Sequence, residues 1–526
     1  VHRAKTPKER RPDVPLPTTS LAWPPVELAQ ITPVLNAWSA WWTGSPDALR
    51  LAYTVGRQAT IDRPSQYRGG VAGKLARFYW GRPIGDLRQT HDQTHVPLAA
   101  DMARTSADLL FADPPTFRVD DKNTQARIDE AVGDYTYATL AGAGEVGAAL
   151  GGVYLRVAWD KAVDSNAFLS VVNADVAWPE FSWGRLRAVT FWHVVKDTGV
   201  LVLRHLERHE VDDNGIGLIQ HGLYQGTPDR LGRPIPLAEH PATAGLAGGV
   251  DEFGYITSGR TPGLNVVYIP NCDPSVAKAF MGLPAAAGWG SSDLDGVEPM
   301  LDNLDEIYSS WMRDIRLGKA RVLLARYMLD DQGPGMGAAF NADQEIFTPL
   351  KMAAAESGDA PITEIQFRIR FAEHQATAQE WTEKIIRSAG YSLQTFGENA
   401  DVAMTATEVS AKQSRSLLTR DRKIRAWRPA LAQIMGKLLT VDADVFGKAV
   451  NIDGLKVEFS DGSQDSPLAL AQTALALSTA QAASTATLVA LVHPDWDDTK
   501  VKDEVALILA QQGMAVPDPF ASPAVP

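Results

Sequence analysis

An α+β fold is what this sequence predicts, and three observations carry the prediction. Helical spacing of apolar residues comes first, in PLAADMARTSADLLFADPP. Short alternating runs follow, separated by Gly- and Pro-bearing turns, as antiparallel strands require. From Ser291 onward the spacing turns helical again and stays so over far longer stretches. Helices gathered before and after a block of strands, rather than alternating with them, define α+β. At 526 residues the chain exceeds one ordinary domain and has room for about two to four.

Residues 1–20, headed by VHRAKTPKERRP, form a basic arm read as solvated and disordered. No apolar stretch behind it makes a signal peptide. In the first helix Leu98, Met102, Leu109 and Leu110 share a face, and Pro114-Pro115 stops it. GGVYLRVAWD then alternates Val153, Leu155, Val157 and Trp159 at strand spacing. AVTFWHVV, VLVLRHL, GLIQHGLY and NVVYIP continue the series.

Beyond Ser291, Leu294, Val297, Leu301, Leu304, Tyr308, Trp311 and Ile315 fall at alternating steps of three and four. This heptad-like seam predicts packing against a neighbouring long helix, with Pro299 its one blemish. Asp293, Asp295, Glu298 and Asp302 crowd its start and Arg313, Arg316, Lys319 and Arg321 its end, which suits the helix dipole. ARVLLARYML and ITEIQFRIRF read as strands around the Gly-rich DDQGPGMGAAF. They make a β module of about fifty residues, near the lower limit for independent folding.

AEHQATAQEWTEKIIRSAG is the second long helix, with Gly390 as its stop. The polar connection from Gly390 to Met404 holds no His, Cys or Lys. Its length marks it as a functional loop or a disordered one. Thr405-Ala406-Thr407-Glu408 is a capping box, Thr405 accepting from the first turn and Glu408 reaching back, which favours a defined loop. The helix it opens runs to about Thr440 and spans about 50 Å if straight, but Pro429 should kink it. Its middle sets Lys412, Arg415, Arg420, Arg422, Lys423, Arg425 and Arg428 against Asp421 alone. That run is either a solvated face or an interface for an acidic partner. From Ser466 the tail is Ala-rich and helical with a break at HPDWDD, and holds too much Gln, Ser and Thr for a membrane span.

Composition narrows the chemistry. The chain is 45% hydrophobic and 21% charged, ample for a core. A net charge of −13 gives no global basic field to grip nucleic acid. Lone Cys272 excludes an intramolecular disulfide framework and reads as a buried, inert thiol. Active-site signatures resolve into decoys. His91 and His95 have zinc-helix spacing but lack the metalloprotease glutamate and a third ligand. Gly73-Lys74 lacks the rest of a phosphate loop, and Gly333-Pro334-Gly335-Met336-Gly337 is spoiled as a dinucleotide fingerprint by its proline. Asp495, Asp497 and Asp498 miss the calcium-loop pattern. No catalytic residue and no cofactor is assigned.

The order of long helix, β module, long helix, polar loop and kinked helix resembles the portal proteins of tailed bacteriophages. ADLLFADPPTF, YLRVAWD, WPEFSWGRLRAVTFW, LDEIYSSWMRDIRLGKARVLL, GYSLQTFG and MTATEVSAKQSRSLLTRDRK carry the likeness, which covers about residues 30–460 and points to phages with long non-contractile tails. The resemblance implies a portal fold: wing at 21–290, first stem helix at 291–318, clip at 319–371 and second stem helix at 372–389. A tunnel loop at 390–404, a kinked helix and wing return at 405–460, and a crown at 461–526 complete it. Leu301, Leu304, Tyr308, Trp311 and Ile315 would be stem packing.

The resemblance further implies a homo-oligomeric ring, usually of twelve subunits, at one capsid vertex, made in the host cytoplasm and kept in the virion. Double-stranded DNA would pass through without sequence specificity. The terminase large subunit, then a head–tail adaptor, would dock on the clip, and the major capsid and scaffolding proteins would be further partners. ATP hydrolysis would belong to the motor, so the chain would be no enzyme. Gln394, Thr395, Asn399 and Asp401 would make weak, exchangeable contacts to the DNA backbone. Lys384 and Arg387 would either soften the acidic channel or pair with Glu380 or Glu383. Two other readings are a metal-dependent enzyme using His91 and His95, and another capsid or connector component.

Overall fold

The computed structural model describes residues 16–56, 94–160, 163–317, 369–397, 406–447, 450–460, 467–493 and 498–511, with the short stretches 321–324, 330–331, 338–339, 362–365 and residue 496. The fold is α+β. Helices α1 (Thr32–Thr43), α2 (Pro46–Gly56), α3 (Leu98–Phe111), α4 (Lys122–Ala131) and α5 (Asp134–Leu150) precede the main strands, with the short β1 (Thr116–Arg118) among them. Of the face its spacing predicts, α3 buries Leu98, Met102 and Leu110, while Leu109 is half-buried.

The strands are antiparallel throughout their described pairings. β2 (Gly152–Ala158) lies between β3 (Phe168–Asn173) and β10 (Val266–Pro270). β4 (Ala177–Ser182), β5 (Arg185–Asp197), β6 (Val202–Val211), β7 (Ile216–Thr227) and β8 (Arg230–Ile235) form a second sheet in that order, with β9 (Tyr255–Pro262) also paired to β7. Each expected run lies in one of these strands. β2 is buried on both faces: Val153, Leu155 and Val157 share one apolar cluster with Leu140 and Ala143 of α5, and Tyr154 on the other face meets Phe191 of β5 edge-on at 5.2 Å.

Helix α6 spans Glu298–Leu317, starting seven residues later than the sequence spacing predicts. The physical reason lies in the approach. Ser292 donates its hydroxyl to the carbonyls of Ala148 (3.1 Å) and Ala149 (2.6 Å) at the end of α5. There the backbones nearly touch: a Cβ on Gly290 would lie 2.3 Å from the Gly151 carbonyl oxygen. Gly296 then turns the chain at φ 84°. Pro299 therefore falls in the first helical turn, where its missing N–H costs nothing. Asp293 and Asp295 lie before the helix rather than on it.

The β module is described only in part. β11 (Arg321–Leu324) pairs antiparallel with β14 (Ile362–Ile365), and β12 (Asp330–Asp331) with β13 (Ala338–Ala339). The Gly333–Gly337 motif lies outside the described residues. α7 (Phe371–Ser388) follows, then α8 (Ala406–Phe446), a 41-residue helix that buries Ile424, Trp427, Leu431, Ile434, Met435 and Leu438. Trp427 meets Phe111 of α3 edge-on at 4.9 Å.

Pro429 sits on the exposed side of α8, and helix continues through it. The backbone carbonyl that it leaves without a helical donor is the one four residues earlier, at exposed Arg425. α8 outruns its expected end at Thr440 because Asp442 is buried beneath it. There Asp442 accepts from Arg127 Nε at 2.7 Å and from the Ala167 amide. β15 (Lys456–Glu458) returns to pair with β1, Val457 opposite Phe117. The tail forms α9 (Pro467–Thr479), α10 (Thr485–Val492) and α11 (Asp498–Gln511), with the break near His493 and Trp496 that the sequence suggests.

Candidate functional site

The polar loop begins on a built foundation. Gly390, at φ 96°, closes α7 as a Schellman stop: its N–H donates to Arg387 O, and the Tyr391 N–H to Ile386 O. A one-turn helix, Leu393–Phe396, follows and ends at Gly397, φ 75°. Helix α8 holds this short segment from the side. Thr419 donates its hydroxyl to the Gly390 carbonyl at 2.6 Å. Ser416 Oγ accepts from the Ser392 amide at 2.9 Å and lies 2.9 and 2.8 Å from the hydroxyls of Ser392 and Thr395.

Beneath it lies a buried ionic node. Lys423 Nζ of α8 donates to Ser106 Oγ of α3 (2.6 Å), Asp293 Oδ2 (2.6 Å) and Tyr391 OH (3.1 Å). All three ammonium protons thus have acceptors. Tyr391 in turn donates to Asp293 Oδ2 at 2.6 Å, and Asn271 Nδ2 donates to Asp293 Oδ1 at 2.9 Å. Lys423 is only 4% exposed and Tyr391 fully buried. Burial lowers the lysine pKa against the pull of Asp293, and it raises the tyrosine well above the usual phenol range, with Asp293 adding to the rise.

α6 and α7 pack together, the neighbouring long helix that the seam predicts. Leu301 and Leu304 are buried in the main core, Tyr308 and Trp311 are half-buried, and Ile315 is 40% exposed. The burial fades because Leu301 and Leu304 face the main body while the outer turns face α7. There Trp311 stacks on His374 with planes 5° apart, and Asp314 accepts from Arg370 and His374, each at 2.9 Å. Lys384 pairs with Glu380 at 2.8 Å and Arg387 with Glu383, both one turn back on α7.

Gln394 and Thr395 stand half-buried in the one-turn helix, with the Thr395 hydroxyl beside Ser416. Asn399, Asp401 and Thr405 lie outside the described residues, as does the side chain of Glu408. The basic run of α8 divides. Arg415, Arg422, Arg425 and Arg428 are exposed, whereas Arg420 and Lys423 are internal, which corrects the reading of one solvated or partner-facing stripe. Arg420 donates to the backbone carbonyls of Leu109 and Ser460. His95 serves a structural contact: its Nδ1 lies 2.9 Å from Asp305 Oδ2, with its ring 5.9 Å from that of Trp41. His91 and most of the Asp495–Asp498 cluster lie outside the described residues. Among the described residues no group of three or more His, Cys, Asp or Glu is placed to hold a metal, and no helix is long and apolar enough to cross a membrane.

Sequence reasoning missed Asp293, Tyr391, Lys423 and Ser416 as a unit. One signal was available: Ser416, Arg420, Lys423, Ile424 and Trp427 recur at helical steps on one face, and Tyr391 holds the position after a Schellman glycine that usually packs inward.

Two long helices thus flank a β pair and lead through an anchored loop to a long return helix. Over residues 257–518, about half of its length, the chain matches the family described as "Phage portal protein, SPP1 Gp6-like". It belongs to that portal family. A solved structure titled "Neck of native GTA particle computed with C12 symmetry" aligns with 84% of this chain and 98% of its own, at 11% identity and a TM-score of 0.35, too low a likeness to carry a fold argument. No curated protein matches the sequence.

Proposed function

We propose that this chain is the subunit of a closed ring, twelve copies in the assembled state, that forms the DNA conduit at one capsid vertex. Double-stranded DNA passes through it during packaging and ejection. The β module between α6 and α7 is the clip on which the terminase large subunit and then a head–tail adaptor dock. Capsid and scaffolding proteins surround the wing, and the chain itself carries out no catalysis. The carrying observation is the order α6, β pair, α7, anchored loop and α8 within the family-matched region.

Exposed apolar groups support assembly. Trp183 is fully exposed at the β4–β5 turn with φ 54°, a conformation that bulky residues rarely adopt. Met312, Ile315 and Phe371 are exposed on the outer part of the α6–α7 pair. Native mass measurement with negative-stain imaging tests the reading. Twelve copies at 56.9 kDa come to about 680 kDa, and head-to-tail contacts must close on themselves. A ring with an axial hole is expected; a compact dimer would overturn the proposal.

A further inference from the structure

We propose that Tyr391 is a positioning residue for the loop it precedes: through Asp293 and Lys423 it locks the loop's root to the entry of α6 and to α8. The inference rests on the reading of that loop as the channel loop, and names the part that sets its place. Three separated elements meet at one ammonium group, through Ser106, Asp293 and Tyr391. Apolar side chains of similar volume would stabilise such a site as well or better, so a buried ion pair is weak evidence for stability. A fully satisfied polar network does fix directions, because each donor and acceptor has one partner to face.

The geometry above the node agrees. Thr419 and Ser416, four and seven residues before Lys423, hold respectively the Gly390 carbonyl and the hydroxyls of Ser392 and Thr395. The loop's root is therefore bound to the face of α8 that carries the node. At Gly397, the last described residue of this segment, an added Cβ would meet nothing within 4 Å. A shift of α6 or α8 is thereby passed directly to the point where the loop departs.

Hydrogen exchange on the assembled full chain tests this with Tyr391→Phe, which deletes only the hydroxyl. Amides of Thr395 and Gly397, which donate within the one-turn helix at 3.1 Å, should exchange about tenfold faster or more. Exchange at Leu431–Leu439 in the α8 core should stay unchanged. Ser416→Ala, which spares the ion pair, should loosen the same amides from the other side and serves if the first variant fails to fold. No local acceleration, or an equal acceleration across the whole chain, overturns the anchor. DNA filling of particles built with the same variants reads the channel assignment separately. Reduced filling supports it; local loosening with normal filling overturns that assignment and leaves the anchor standing.

Discussion

Two clusters of buried ionisable groups solve the same problem in opposite ways. Around Lys423 the charge is kept and matched, each proton given an acceptor on a different element. On the sheet face of β5–β7, His205 and His221 are stacked with ring planes 12° apart and one ring nitrogen 3.1 Å from the other. Burial pushes both histidines down to about 4, so they stay neutral. His193 stacks beyond them, and Glu207, Arg156 and His209 complete the cluster. The first arrangement keeps its lysine paired and depends on completeness; the second keeps its stacked histidines neutral and depends on pH.

The largest test of this contrast is Lys423→Met. It leaves Asp293 buried without its cation and should cost about 3–5 kcal/mol in denaturant unfolding. Adding Asp293→Leu should recover part of that loss, since the uncompensated charge is gone. Acid comes next. With folded pKa values below the unfolded 6.5, the unfolded state binds more protons between the two. Histidine-linked stability is therefore complete above pH 6.5 and falls as pH drops toward 4. The loss should be on the order of 3 kcal/mol for each histidine, and His205→Phe with His221→Phe should flatten that slope. Tyr391→Phe should cost about 1.5 kcal/mol in local opening, as for a hydrogen bond to a charged group, read as faster exchange at Thr395 and Gly397 with the α8 core unchanged. Arg422→Ala and Arg425→Ala on the exposed side of α8 should change stability by less than about 0.5 kcal/mol. A large effect there would erase the distinction between the two sides of one helix.

Residues with a strong local period were legible in the sequence. Alternation at Val153, Leu155 and Val157 found β2, and steps of three and four from Leu301 to Trp311 found α6. Gly390 marked the end of α7 because a left-handed stop needs glycine. What stayed hidden depended on long-range contacts. Helical period separates Lys423 from Arg422, but its partners Ser106 and Asp293 lie far away in sequence. Ser292 left the helix because carbonyls at 148 and 149 needed a donor, a demand set far away in sequence. His95 met Asp305 on α6 for the same reason, so its spacing from His91 was no guide.

Packaging by particles carrying Asn399→Lys with Asp401→Lys tests the account's central claim most directly. Added cations in a loop that meets passing DNA would hold its phosphates. The account predicts rings of normal mass and sharply reduced DNA filling. Normal filling by intact rings would contradict it.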